Sequence, residues 1–517
     1  MSQSRRGRGE AATASGPPVG TSGAGRAHAG GPSIGGRGLF GLPMLYWGLW
    51  LAILILWMGR FVMSFLSIYL VSDLHIDEGA VGTVVSMYGF GAILGCLFGG
   101  ALSDRFGRQP MIVIGELGAA AILVAIAFLT SPVALGAALF AYGAVASLPS
   151  PAIAAYIADV VPAANRQRAY TLQSWAINFG YAIGPIIANQ LVKISYALMF
   201  YVEAAILVGV TVLLAVFFRE VGHLGITVPG PRGRAAVRGP VAGRRAAGGR
   251  AGTGHADGVQ RAGAGASPEA SRPDADAGMV SASASAPAQA SAPASASSSD
   301  SPASPARVSL LGNYRRAVTD LPFAAFVLLV FGYLIVYYQS TSGLPIAMTD
   351  LGMGTAEYSV LLTINGGMLC LLQIPAMKLF RRMGNSRVLV AGLAVTVVGY
   401  AVQVFATDWA GFALAVVLWT LGELGTFPIA ATVVAAMAPA DARGTYQGLY
   451  NMAMSLALAF APMAGGAIIA ASDGRTLWTV CTAVLALVTL GLLLTRHGRE
   501  RSIARNLTAV EVDVEAD

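Results

Sequence analysis

Polar residues are so sparse along most of this chain that its pattern is one of long apolar runs separated by short charged patches. Runs such as VALGAALFAYGAVASLPSPAIAAYIA and TLWTVCTAVLALVTLGLLLT carry no charge. They are long enough to cross a hydrocarbon core of about 30 Å as helices. Membrane strands would be about half that length and would alternate in polarity, which these runs do not. The pattern predicts twelve spans, near residues 45–70, 80–102, 111–130, 134–158, 169–192, 196–218, 321–343, 357–380, 388–406, 411–435, 446–470 and 477–495. The expected fold class is therefore an all-α integral membrane protein.

The spans fall into two groups of six. The expected organisation is a disordered N-terminal tail (1–44), a six-helix half (45–218), a largely disordered linker (219–320), a second six-helix half (321–495) and a C-terminal tail (496–517). The linker is Arg/Gly-rich and then Ala/Ser/Pro-rich, compositions that bury too little apolar surface to fold. Its basic part is read as a solvated tether, with contact to anionic lipid as the alternative.

The halves repeat at a constant offset of 277 residues. Asp73 falls on Asp350, Gly107 on Gly384, Pro151 on Pro428, Arg166 on Arg443 and Pro185 on Pro462. Six spans separate equivalent points, so the copies share one membrane orientation, a parallel repeat about an axis along the membrane normal.

Charge sets the expected orientation. With the N-terminus inside, the inner segments hold Arg105, Arg108, Arg166, Arg168, Arg381, Arg382, Arg387 and Arg443, and the outer loops only Lys193 and Arg475. Both termini are then cytoplasmic, in a plasma or inner membrane. The start of the chain lacks the apolar core of a cleavable signal. Only 11% of residues are charged, and the net charge of +7 sits mostly in tails and loops, which fits an anionic membrane face rather than nucleic acid. Cys96, Cys370 and Cys481 each fall inside a span and suggest neither disulfides nor a metal site. No metal or cofactor is expected, and the chain is expected to act as a monomer.

At this point the motifs resemble the major facilitator superfamily. GALSDRFGRQP is similar to its signature between spans two and three, through Gly100, Asp104, Arg105, Gly107 and Arg108. GYAIGPIIAN resembles the antiporter signature through Gly180, Gly184 and Pro185, although Ala188 and Asn189 stand where paired glycines are usual and Thr171 replaces its first glycine. The better glycine pair is in the repeat copy, at Gly465 and Gly466. GRFVMSFLSIYL, LWTLGELGTFPIA and RGTYQGLY together look like bacterial multidrug-efflux-like members. The resemblance covers about residues 41–495 without the linker. It implies that spans one, four, seven and ten line a central cavity. It also implies a cytoplasmic latch, in which Asp104 caps the start of span eleven near Gly444 and Arg108 pairs with Asp159 when the cavity opens outward. The alternative for these arginines is a topological role alone.

A charge at mid-membrane costs about 2.5–3.5 kcal/mol on insertion scales, so each needs a reason. Arg60 and Glu423 lie in the middle of spans one and ten. Arg60 shares a helical face with Trp57, Ser64 and Ser67, and Glu423 is flanked by Trp419 and Thr426. Glu423 is read as a proton carrier whose protonation follows its distance to Arg60. A permanent ion pair or a carboxyl bonded to backbone is the structural alternative. Arg60 is read as a partner of Glu423 or of an anionic substrate, or as a packing residue. Glu116 and Glu203 lie nearer span ends and are expected at the interface. Tyr88, Asn178, Tyr333, Tyr337, Gln339, Asn365 and Asn451, with Ser174 and Ser455, would supply the few polar contacts of an apolar substrate cavity, ordinary helix packing being the alternative for each.

The reading is a proton-coupled secondary transporter exporting small amphipathic compounds by alternating access, with small-molecule substrate, protons and membrane lipid as partners. A nutrient or metabolite symporter and a transport-inactive sensor are the rivals. No phosphate-cradling Gly-Lys-Ser/Thr loop is found. His28, His75, His223, His255 and His497 all lie outside the spans, which argues against a membrane enzyme.

Overall fold

Glycine or proline stands at several of the points where the helices of this chain break. The computed structural model describes residues 42–161, 165–223, 310–380, 382–439 and 442–516. Residues 1–41 and 224–309, which hold most of the two segments expected to be disordered, lie outside them. In the first half, span one is broken into α1 (Met44–Gly59) and α2 (Val62–Ile68), the latter running into a π-helical turn at Tyr69–Asp73. Then come α3 (Glu78–Phe106) and α4 (Arg108–Ile126). Span four is broken into α5 (Pro132–Ala146) and α6 (Pro149–Val160), where Pro149 and Pro151 cannot supply helical N–H groups. Two unbroken helices, α7 (Arg166–Val192) and α8 (Tyr196–His223), complete this half.

The second half opens with the short α9 (Leu310–Thr319) and repeats the pattern. Span seven comprises α10 (Leu321–Tyr337), a 3-10 turn at Tyr338–Ser340 and α11 (Gly343–Asp350). After α12 (Thr355–Phe380) and α13 (Asn385–Val404), span ten is split into α14 (Trp409–Leu424) and α15 (Phe427–Met437) ahead of Pro428. The chain continues as α16 (Arg443–Ala471), α17 (Gly474–Leu494) and α18 (Arg496–Ala516). Equivalent helices begin at Glu78 and Thr355, Arg108 and Asn385, Pro132 and Trp409, Arg166 and Arg443, each pair at the spacing of the sequence repeat.

Eleven spans are long and apolar enough to cross a membrane. The twelfth, α7, carries Gln173, Ser174, Asn178 and Asn189, all buried against protein, because it packs on α1 and α12. Polar side chains on a span are tolerated when they face other helices instead of lipid. The expected C-terminal tail is helical over most of its length. In α18, Arg499 is fully buried beneath the Phe326 ring, 5.6 Å away, and Asn506 Nδ2 donates to the Met437 carbonyl at 2.7 Å.

The halves meet through α3 on α16 and α7 on α12. A Cβ on Gly466 would come within 2.9 Å of the Gly82 Cα, so only glycine permits this approach. At the same end of the bundle α2 touches α11, the Phe65 and Tyr358 rings lie 5.6 Å apart, and Thr355 Oγ1 donates to Asn189 Oδ1 at 3.2 Å. Toward the other end Gly100, Gly444 and Gly448 face open space, and Leu97, Phe98 and Met452 are exposed.

Candidate functional site

The break in span ten places Glu423 in the last turn of α14, 2% exposed. Its Oε2 accepts from Asn365 Nδ2 of α12 at 3.0 Å, and the same amide donates to Thr420 Oγ1 at 3.0 Å. Tyr337 points its hydroxyl at the carboxyl without closing a well-formed bond to Oε1. Below it, Thr426 Oγ1 donates to the Glu423 carbonyl at 3.1 Å and lies 2.9 Å from the Tyr333 hydroxyl. Phe427 packs edge-on against Tyr333 and Tyr337, with centroids at 5.5 and 4.7 Å. Glu423, Asn365, Tyr333 and Tyr337 are therefore brought together, in an aromatic box containing one carboxyl.

Arg60 is not part of that box, which corrects the expected pairing with Glu423. Its Nη2 lies 3.0 and 2.9 Å from the two oxygens of Glu116, and its guanidinium sits 5.8 Å from the Trp57 ring. The reason is the break after Gly59: Arg60 leaves helical geometry (φ −87°, ψ 72°) and turns into its own half. The polar stripe expected on one continuous helix is interrupted there, and Ser64 and Ser67 belong to α2.

Glu116 and Glu203 are likewise not interfacial, being 1% exposed each. The third span starts at Arg108, so Glu116 lies at the middle of α4. Glu203 of α8 binds the break itself: its Oε2 accepts from Phe61 N at 3.0 Å and Val62 N at 2.8 Å, and its Oε1 from the Tyr142 hydroxyl at 3.0 Å. The Tyr88 ring lies tilted against that of Tyr142, with centroids 5.5 Å apart. Sequence reasoning missed both carboxylates as interior groups; the available signal was that two acids stood in spans with one arginine.

The remaining expected residues separate into packing positions and bridges. Asn178 Nδ2 donates to Gln373 Oε1 at 3.1 Å, linking α7 to α12 across the halves. Gln339 donates to the Ala461 carbonyl at 2.7 Å and fills the space left by Gly465, so the Gly465–Gly466 pair serves two close approaches. Trp419 packs on Gly399 of α13, and Asn451 is half-buried and accepts from Gln447 at 3.3 Å. Gly180 and Gly184 let α7 lie against Trp57 and Met58 just before the break, with Pro185 one residue on.

In the stretch between α3 and α4, Gly107 takes φ +100°, a left-handed turn suited to glycine. Arg105 lies over the Phe106 ring at 5.4 Å and Arg108 is half-buried. The side chains of Asp104 and Asp159 lie outside the described residues.

The family model of the Major Facilitator Superfamily matches residues 49–344 and 323–512, well over half of the chain. The chain belongs to the Major Facilitator Superfamily. It is a multi-pass membrane transporter and not an enzyme, with twelve helices in two halves. Among curated relatives it is 35% identical over 153 residues to the class C tetracycline resistance protein of Escherichia coli, covering 29% of this chain and 37% of that one. It is 30% identical over 153 residues to multidrug resistance protein 1 of Bacillus subtilis, covering 29% and 39%. It is 26% identical over 195 residues to the MFS-type transporter YttB of the same organism, covering 37% and 49%. The chain thus spans half or less of the length of these relatives. Solved structures of similar fold include a D-xylose-proton symporter (TM-score 0.59, 14% identity, 86% of this chain and 96% of that one). Another is the POT family transporter PepTSo (TM-score 0.63, 14% identity, 88% and 98%).

Proposed function

We propose that this Major Facilitator transporter exports small amphipathic organic compounds in exchange for protons, by alternating access, with Glu423 as a proton carrier. The observation that carries this reading is the Glu423 carboxyl, buried at the centre of the bundle with an amide but no cation for a partner among the described residues. An isolated carboxylate in low dielectric is costly, whereas a neutral carboxylic acid there is not. The aromatic box of Tyr333, Tyr337 and Phe427 beside it suits an apolar compound with few polar anchors. The tetracycline and multidrug resistance names of relatives support export. Both termini are read as cytoplasmic, so the end closed by α2, α11, Gly82 and Gly466 is the outer one and the molecule stands open inward.

In this cycle the proton gradient supplies the drive, about 2.3 kcal/mol per charge per 100 mV from the potential alone. The test is uptake of labelled amphipathic compounds into inside-out vesicles under an imposed pH gradient. Glu423→Gln keeps the hydrogen bonding and shape but not the titration; gradient-driven accumulation is expected to fall at least tenfold while compound binding stays within about twofold. Undiminished gradient-driven export by this variant removes Glu423 from the role.

A further inference from the structure

One arginine faces two carboxylates in the N-terminal half. Arg60 commits the same nitrogen to both oxygens of Glu116, which leaves Glu203 with neutral donors only for its hydrogen bonds. Those donors are unusual. The break at Arg60 strips Phe61 N and Val62 N of intrahelical acceptors, and an unmet amide in apolar surroundings costs several kcal/mol. Glu203 Oε2 answers both, at 3.0 and 2.8 Å, and Oε1 takes the Tyr142 hydroxyl at 3.0 Å.

An amide side chain would cap the break equally well, so the capping duty alone does not call for a carboxyl. What a carboxyl adds is a second protonation state that fits the same partners. When ionised it accepts all three bonds. When a proton taken up from bulk solvent adds to Oε1, Oε2 still accepts both amide bonds, and the new O–H donates to the Tyr142 oxygen, which turns from donor to acceptor. No heavy-atom contact is lost, and the Arg60–Glu116–Glu203 group changes from one net negative charge to none. The groups facing Glu203 are Arg60 at the end of α1, itself paired with Glu116 of α4, Tyr142 on α5 and Tyr88 on α3. Of this group the Arg60 side chain, 12% exposed beside the Trp57 ring, is the least buried.

We propose that Glu203 is a second proton-binding site, which holds the break between α1 and α2 in both protonation states and adds a proton to the one carried by Glu423. The proposal rests on the proton-coupled reading above. It also places a charge change at the root of α2, which carries Phe65 to Tyr358 at the closed end.

The test uses the full chain in lipid nanodiscs, read by pH-difference infrared spectroscopy of protonated-carboxyl C=O bands, with the variants Glu203→Gln, Glu423→Gln and Tyr142→Phe. The parent is expected to show two titrating bands. Glu203→Gln, which preserves the cap and so the fold, removes one; Glu423→Gln removes the other; Tyr142→Phe moves the frequency of the Glu203 band alone. In proteoliposomes Glu203→Gln is expected to halve the protons moved per substrate. A Glu203→Gln spectrum identical to the parent, with the Glu423→Gln band gone, overturns the proposal and leaves the proposed function standing. Loss of a band in Glu203→Gln with no change in Glu423→Gln supports Glu203 and overturns the role of Glu423.

Discussion

Removing the Arg60 guanidinium would leave Glu116 buried at 1% exposure with no counter-charge, because that pair is closed within one half. Breaking a buried ion pair from one side typically costs about 3–5 kcal/mol, whereas replacing both partners by apolar groups is often neutral. Arg60→Met is therefore expected to lower the melting temperature in detergent by several degrees, and the double variant Arg60→Met/Glu116→Leu to recover most of the loss. Equal losses in both would mean that Arg60 stabilises through Trp57 instead. The sequence pattern was enough to single out Arg60 and Glu423 as charges needing a reason. It could not give their partners, because helical periodicity fixes the face and depth of a residue on its own helix but not which way that face turns in the bundle. Glu203 was harder still, since its partners are backbone N–H groups that exist only because α1 stops at Gly59.

At the level of elements, the breaks in spans one, four, seven and ten are the main device. Three are marked by proline, two of them with glycine as well, in SLPSP, SGLP and GTFP, and the proline sites at 151 and 428 are repeat copies. The break at Gly59–Phe61 has no proline, and its repeat copy at the end of α10, Tyr337–Tyr338, holds neither glycine nor proline to mark it. Close helix approach is equally specific. Valine at Gly466 would drive its Cβ into the Gly82 backbone, so α16 must move off α3. Overpacking of this kind costs about 1–3 kcal/mol, enough for a 5- to 150-fold shift between conformers. Spin labels at the start of α3 and the end of α16 should then show a longer mean distance in Gly466→Val than in the parent. Gly444→Val, at a position facing open space, should leave that distance unchanged.

The whole molecule has one end closed and the other open, and this could not be read from the chain, since both conformers share one sequence and one set of spans. The repeat gave the twelve helices and their parallel halves; the conformer follows from which glycines lie in contact, Gly82 with Gly466, and which do not, Gly100 and Gly444. This bears on the latch expected around GALSDRFGRQP. In the latch reading Asp104 caps the start of α16, where Gly444 is exposed, when the open end closes. Its loss should then spare the conformer described here and penalise the opposite one. A single cysteine replacing Gly448, in a background with Cys96, Cys370 and Cys481 changed to serine, reports on that end through labelling by a membrane-impermeant maleimide in inside-out vesicles. Labelling of the otherwise unaltered chain is expected to slow severalfold under a gradient that favours the outward-open form. With Asp104→Asn it should stay fast, with transport reduced and membrane insertion normal. The same slowing in both chains would leave Arg105 and Arg108 with topology as their only role and retire the latch.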